Sequence, residues 1–178
     1  MANARTTRKE FDAKVAIATE IDWARLAAYI DGEGTVMIAK TERKTGTKAP
    51  QYVLTLIVAN TDMRLIEWLA STFGGSFYFS HSEKTRFRSN KVCTSWRQHE
   101  DRAATLLAHC LPYMIIKREQ AEVALAYREL RKLGSKGRKI SAEELASREA
   151  FRSRIHTLNS PSPKAGGGSG EVYGSNVQ

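Results

Sequence analysis

Cysteine is scarce in this chain, long apolar runs are missing, and acids are outnumbered; each shortage excludes something. The two cysteines in 178 residues, Cys93 and Cys110, have neither CxxC nor zinc-ligand spacing. One possible bridge makes no disulfide scaffold, so a soluble chain in a reducing, intracellular setting is expected. No apolar run approaches the roughly 18 residues of a membrane helix, and the N-terminus has no apolar signal core. Arg5, Arg8 and Lys9 make residues 1–19 read as a loose basic arm, while Glu10 and Asp12 argue against a transit peptide. The 19 acids face 28 lysines and arginines, for a net charge of +9. A surface of that sign attracts polyanions, which makes nucleic acid the leading partner class, although solubility alone would account for the charge equally well.

What is present is a regular succession of short amphipathic elements. From Asp22, a candidate N-cap, Trp23 to Asp31 reads as a helix stopped by Gly32 and Gly34. Thr35 to Thr41 and Gln51 to Ala59 alternate as strands around a polar loop, forming a hairpin. Asp62 to Phe73 places Leu65, Ile66, Leu69 and Phe73 at helical spacing before Gly74-Gly75. Ser76 to Ser82 and Lys91 to Gln98 are extended, and Arg102 to Leu111 and Lys117 to Leu133 are helical. Ser141 with Glu144 announces one more helix, to about Leu158. The fold class is therefore α+β, with the order αββαββα, and the chain divides into a domain at 20–133, a linker and helix at 134–159, and a tail at 160–178 too poor in apolar residues to order.

The stretch Leu26-Ala27-Ala28-Tyr29-Ile30-Asp31-Gly32-Glu33-Gly34 occurs once. Ala24, Ala27, Ala28 and Asp31 recur at spacings that share one side of a helix, and small residues let a second helix approach. If two copies crossed about a twofold axis, two Glu33 carboxylates and the Gly32 carbonyls would meet at helix C-termini, which attract cations. Mg²⁺, a hard ion, would relieve the repulsion between such carboxylates.

This stretch resembles the motif of the LAGLIDADG homing endonucleases, with Ala28 where the namesake has Gly and Glu33 in place of its second Asp. The likeness runs from Ile21 to Leu133. It implies a saddle with a curved antiparallel sheet, an interface motif helix and, in a chain with one motif, a homodimer. It implies cleavage of double-stranded DNA at a long near-palindromic target, leaving short 3′ overhangs. Glu33 would be the metal ligand, with Mg²⁺ or Mn²⁺ as cofactor, Ca²⁺ supporting binding without cleavage, and no organic cofactor. Asn60 and Arg64 match the positions that serve the active-site water network, and Lys117 matches the family's active-site lysine. Lys117 and Arg64 would stabilise developing negative charge during in-line attack, and Asn60 would orient water. Intron homing in a bacterial or phage-infected cell, or in an organelle, follows as the setting.

The same likeness assigns DNA contacts to the outward phase of the strands, where a curved sheet reads base edges. On the first hairpin these are Thr35, Met37, Ala39, Thr41, Gln51, Val53, Thr55 and Ile57; on the second, Ser76, Tyr78 and Ser80, with the phase of 92–97 open. Arg43, Lys44, Lys48, Lys84, Arg86, Arg88 and Lys91 fall in the hairpin loops, where they would meet phosphates.

Competing readings are weaker. Asp31 to Val36 lacks the sixth-position glycine of a calcium loop, and Gly32-Glu33-Gly34 is no dinucleotide fingerprint. His81, His99, His109 and His156 have no metal spacing. A cleavage-inactive DNA regulator or RNA-splicing helper on the same scaffold stays open, as does a basic interaction protein without nucleic-acid function.

Overall fold

The computed structural model describes residues 6–41, 49–80, 93–133 and 140–160. The basic residues expected in the hairpin loops (Arg43, Lys44, Lys48, Lys84, Arg86, Arg88 and Lys91), the linker 134–139 and the tail from 161 onward lie outside the described residues.

The segment expected to be a loose basic arm is a helix, α1 (Arg8–Ile17). Its start is fixed by Thr7, whose hydroxyl accepts from Glu10 N–H at 3.2 Å while the Glu10 carboxylate accepts from Thr7 N–H at 2.6 Å. One fully buried side chain, Phe11, anchors it. Charge composition could not reveal a ten-residue helix started by a capping box and anchored by Phe11, with Val15 partly buried against the core and Lys14 donating to Ser71 O.

The next helix, α2 (Glu20–Glu33), begins earlier than Asp22 because Thr19 is the cap and Asp22 is the reciprocal partner. Trp23, Leu26, Ala27 and Ile30, at i, i+3, i+4 and i+7, form its buried stripe. Gly34 ends it: a Cβ there would lie 2.6 Å from Ile30 Cα and 2.7 Å from Ile30 O, so no other residue lets the chain turn straight into the sheet. Four strands follow with two helices between and after them: β1 (Gly34–Thr41), β2 (Gln51–Asn60), α3 (Met63–Phe73), β3 (Ser76–Ser80), β4 (Cys93–His99) and α4 (Glu100–Cys110). A short 3-10 turn at Leu111–Tyr113 leads into α5 (Arg118–Leu133), and α6 (Ala142–Asn159) closes the described chain. None of the described helices is long and apolar enough to cross a membrane.

The sheet is antiparallel throughout, in the order β1-β2-β4-β3. Val36, Ile38, Leu54, Leu56, Val58 and Trp96 point to one face and are buried together with Leu26, Ile66, Leu69, Phe73, Leu106, Leu107 and Tyr127 from the helices. Each such Leu, Ile or Val contributes about 1.5–3 kcal/mol relative to exposure. Gln98, at the same phase, is buried and donates to Phe73 O at 3.0 Å, and Trp96 Nε1 donates to Gly74 O at 2.6 Å. Gly75, at φ +99°, is obligatory there, since a Cβ would sit 2.6 Å from Gln98 Nε2 and 2.9 Å from Trp96 Nε1. Helix α6 is tied to the first hairpin by Tyr52 Oη donating to Glu149 at 2.6 Å, a Lys40–Glu149 ion pair at 3.3 Å, and Asn159 Nδ2 donating to Val36 O at 2.8 Å.

Candidate nucleic-acid interface and active site

The C-terminal turn of α2, the end of β2 and the bend before α5 meet at one place. Glu33 is the last residue of α2 and is exposed; its Oε2 accepts a short hydrogen bond from Asn60 Nδ2. The Asn60 amide is oriented by its other end, since Oδ1 accepts from Asp62 N–H at 2.7 Å. Asn60 therefore presents its donor to Glu33. Lys117 sits across the same helix end, with Nζ donating to Ile30 O at 2.9 Å and Asp31 O at 2.5 Å. Burial lowers the Lys117 pKa below the ordinary lysine value, and the Asp31 charge opposes that fall.

Asp31 has a different job from the one its helical spacing suggested. Its two carboxylate oxygens accept from Ile115 N–H at 2.7 Å and Lys117 N–H at 2.8 Å, pinning the bend to α2 and so placing the Lys117 side chain. Both carboxylate oxygens are thereby engaged within the chain, and the Asp31 side chain is half-buried. Ala27, expected on the same stripe, is fully buried in its own core and has no surface to offer a second copy. Ala24 is half-buried and Ala28 is exposed. The free stripe of α2 is Ile21, Arg25, Ala28, Tyr29 and Gly32, centred roughly opposite the core stripe at 100° per residue. Ile21 on this face is 64% exposed.

Arg64 lies beside Asn60, but its guanidinium is held by Asp62, with Nε at 3.0 Å from Oδ1 and Nη2 at 2.5 Å from Oδ2. The Arg64 contacts pull the Asp62 carboxyl down to about 2. The pair lines a cleft with Arg25, Tyr29, Asn60 and Trp68, so Arg64 joins the α2 stripe to the Glu33–Asn60 corner.

On the sheet, the outward phase of the first hairpin is the one expected from alternation. Thr35, Thr41 and Gln51 are exposed, and Met37, Ala39, Val53 and Ile57 are half-buried. Thr55 departs from this, at 5% exposure, because His99 covers it: Thr55 Oγ1 and His99 Nδ1 are 3.1 Å apart. Desolvation, and then the Arg97 charge, lower the His99 pKa below the usual histidine value. The register pairs Ile57 with Arg97, Thr55 with His99, Ser76 with Arg97 and Tyr78 with Ser95. Cys93, Ser95, Arg97 and His99 consequently share the outward face with Ser76, Tyr78 and the Ser80 position. The buried Trp96 was the available signal, since placing its indole in the core puts every odd residue of β4 outward. Arg97 lies over the Tyr78 ring at 5.0 Å.

Among the described residues, no group of three His, Cys, Asp or Glu side chains could hold a metal ion. One chain offers a single exposed carboxylate at a helix C-terminus, a hard oxygen donor set suited to half of a Mg²⁺-type site and unsuited to zinc.

No family model matches the sequence, and no curated protein matches it. Solved structures do match in fold. The homing endonuclease I-CvuI, in complex with its target, gives a TM-score of 0.63 at 17% identity, covering 80% of this chain and 85% of that one. The archaeal intron-encoded homing endonuclease I-Vdi141I, complexed with DNA, gives 0.64 at 8% identity, over 83% and 90%. The LAGLIDADG homing endonuclease I-GzeII, in complex with a DNA target, gives 0.54 at 19% identity, over 73% of this chain and 43% of that one. With its motif helix leading into a four-stranded antiparallel sheet, this chain has the fold of the LAGLIDADG homing endonucleases.

Proposed function

We propose that the protein is a metal-dependent, site-specific endonuclease for double-stranded DNA, acting as a homodimer on a near-palindromic target and leaving short 3′ overhangs. The observation that carries the proposal is the convergence of Glu33, Asn60 and Lys117 on the C-terminal turn of α2. That end carries the negative pole of the helix dipole and suits a cation. The sheet beside it offers an outward face of alternating polar and small apolar side chains, which suits a major groove.

The Glu33 carboxylate and the Gly32 carbonyl would hold Mg²⁺ or Mn²⁺. When bound, such an ion supplies charge stabilisation to the oxygens of an in-line phosphodiester displacement. A second copy supplies the second Glu33, and the free stripe Ile21, Arg25, Ala28, Gly32 is the surface through which α2 meets it. Ala28 and Gly32, four residues apart, permit close helix approach. Asn60 positions Glu33, because its own carbonyl is committed to Asp62 N–H and only its donor is left to face the carboxylate. The Lys117 ammonium, seated on two main-chain carbonyls, stabilises negative charge developing on the phosphate. Arg64 would add to this from its place beside Asp62.

The test is Glu33→Gln against wild type, assayed for binding and cutting of target DNA selected from a random library, with Mg²⁺ present. Retained binding with abolished cutting is expected. Undiminished metal-dependent cutting by the variant refutes the assignment. A wild-type chain that binds but never cuts, under Mg²⁺ or Mn²⁺, is a DNA-binding regulator instead.

A further inference from the structure

We propose that a cleft at the far end of the sheet, between Arg8, Arg97 and Arg102, seats a backbone phosphate of the bound DNA, making α1 part of the nucleic-acid interface. The inference rests on the DNA-binding reading above and extends it to a helix that the motif does not include.

The cleft has a volume of about 300 Å³ and is assembled from four elements: Arg8 from α1, Ser76 from β3, Arg97 and His99 from β4, and Arg102 from α4. Ser76, Arg97 and His99 belong to the outward phase, so the cleft is continuous with the face assigned to DNA. The guanidiniums of Arg8 and Arg102 lie 5.8 and 5.4 Å from the centroid of one ring, that of the fully buried Phe11. Phe11 is thus a platform that gathers two like charges, and the folding of α1 is what brings the first of them there. The third guanidinium, Arg97, has a buried Nε without a hydrogen-bond partner among the described residues.

The carboxylates nearby offset these charges only in part: Glu10 feels the Arg102 charge as the smallest of its influences and is engaged first by Thr7. Glu100 and Asp101 line the cleft but are paired with α5, through Arg131 and Arg128 respectively. Asp12 contacts Arg8 at 3.0 Å, but both side chains are more than half exposed, and such a pair exchanges readily for a stronger anion. Desolvation and the Arg97 charge lower the His99 pKa against the opposing pull of Glu100, and so disfavour its charged form. Arg8 and Arg102 share the Phe11 ring, Arg97 lies over Tyr78, and all three line one cleft on the rim of a DNA-facing surface; such a lining matches a phosphodiester, which guanidinium recognises with paired donors.

The register gives the distance from the cutting site. His99 pairs with Thr55, five residues along β2 from Asn60. At about 3.3 Å per residue this is about 17 Å, and at about 3.4 Å per nucleotide of one strand the seat lies about five nucleotides from the scissile phosphate.

The experiment uses the full chain with Arg8→Gln, Arg102→Gln and the double variant. Affinity for a target duplex and for unrelated DNA is measured between about 50 and 200 mM salt, with thermal melts as a folding control. Expected for the double variant are a slope of log affinity against log salt shallower by about 1, equal weakening on both DNAs, and an unchanged melting temperature. A single methylphosphonate walked along one strand should weaken wild-type binding about five nucleotides from the cut and should add nothing for the double variant. If Arg102→Gln fails to fold, Arg8→Gln and its rescue by Arg8→Lys carry the test. A steep wild-type salt dependence that the variants keep in full overturns the phosphate seat while leaving the DNA reading intact. A wild-type chain with no salt-dependent DNA binding overturns both.

Discussion

On the proposed function, removing the Asp31 carboxylate should damage stability and DNA cleavage together, because one side chain holds the bend that delivers Lys117. In Asp31→Ala the N–H groups of Ile115 and Lys117 lose charged acceptors at 2.7 and 2.8 Å. A hydrogen bond to a charged group contributes about 1.5–3 kcal/mol when it is shielded. Here Ile115 is 86% exposed and water replaces much of its share, so the two together amount to about 2 kcal/mol. For a chain of this size that lowers the melting temperature by about 4–8 °C. Losing the Asp31 charge also removes the influence that keeps the Lys117 pKa from falling further, so the ammonium should titrate at lower pH. A 1 Å displacement of a catalytic group can reduce the rate by about 100-fold, and a loss of that order in single-turnover cleavage is expected at unchanged DNA affinity. The assays are thermal unfolding, DNA binding and cleavage on one preparation. A variant that melts within a degree of wild type and cuts at the wild-type rate would refute the bracing role. One that melts normally but sediments as a monomer would restore Asp31 to the helix–helix contact.

Other perturbations separate backbone necessity from surface. Gly34→Ala forces a Cβ to within 2.7 Å of two Ile30 main-chain atoms, and relieving that clash should cost about 1–3 kcal/mol by chemical denaturation. Gly32→Ala meets nothing within 4 Å in its own chain, so the monomer should unfold no earlier, while sedimentation should show a weakened dimer if α2 pairs with α2. Glu149 is held at about 2 by Tyr52, Arg152 and Lys40. Because that value lies below the ordinary 4.5, the unfolded chain takes up the proton first. The stabilisation is present above about pH 4.5 and is lost as pH falls toward 2; acid unfolding of Glu149→Gln should lack that limb of pH dependence.

By itself the sequence determined the local order of the chain. Alternation put Val36, Ile38, Leu54 and Leu56 on one face and Thr35, Met37 and Val53 on the other, because a pleated strand has a period of two and admits no other assignment. The single motif stretch, the position of Glu33 at a helix end and the extra helix after Ser141 were also legible, since caps and glycines act within a few residues. Tertiary structure decided which neighbour covers each face. Trp23, Leu26, Ala27 and Ile30 form one stripe at i, i+3, i+4 and i+7, and Ala24, Ala27, Ala28 and Asp31 form another displaced by one residue; periodicity cannot choose between them. Packing chose the first, buried Ala27, and turned Asp31 toward the Lys117 bend 86 residues away in the chain. The contacts of Asn60 with Glu33 and of Gly75 N–H with Thr6 likewise span 27 and 69 residues. Such contacts depend on how the helices settle against the sheet, which local composition does not encode; α1 reads as a loose arm by composition and is ordered by Phe11 in the core.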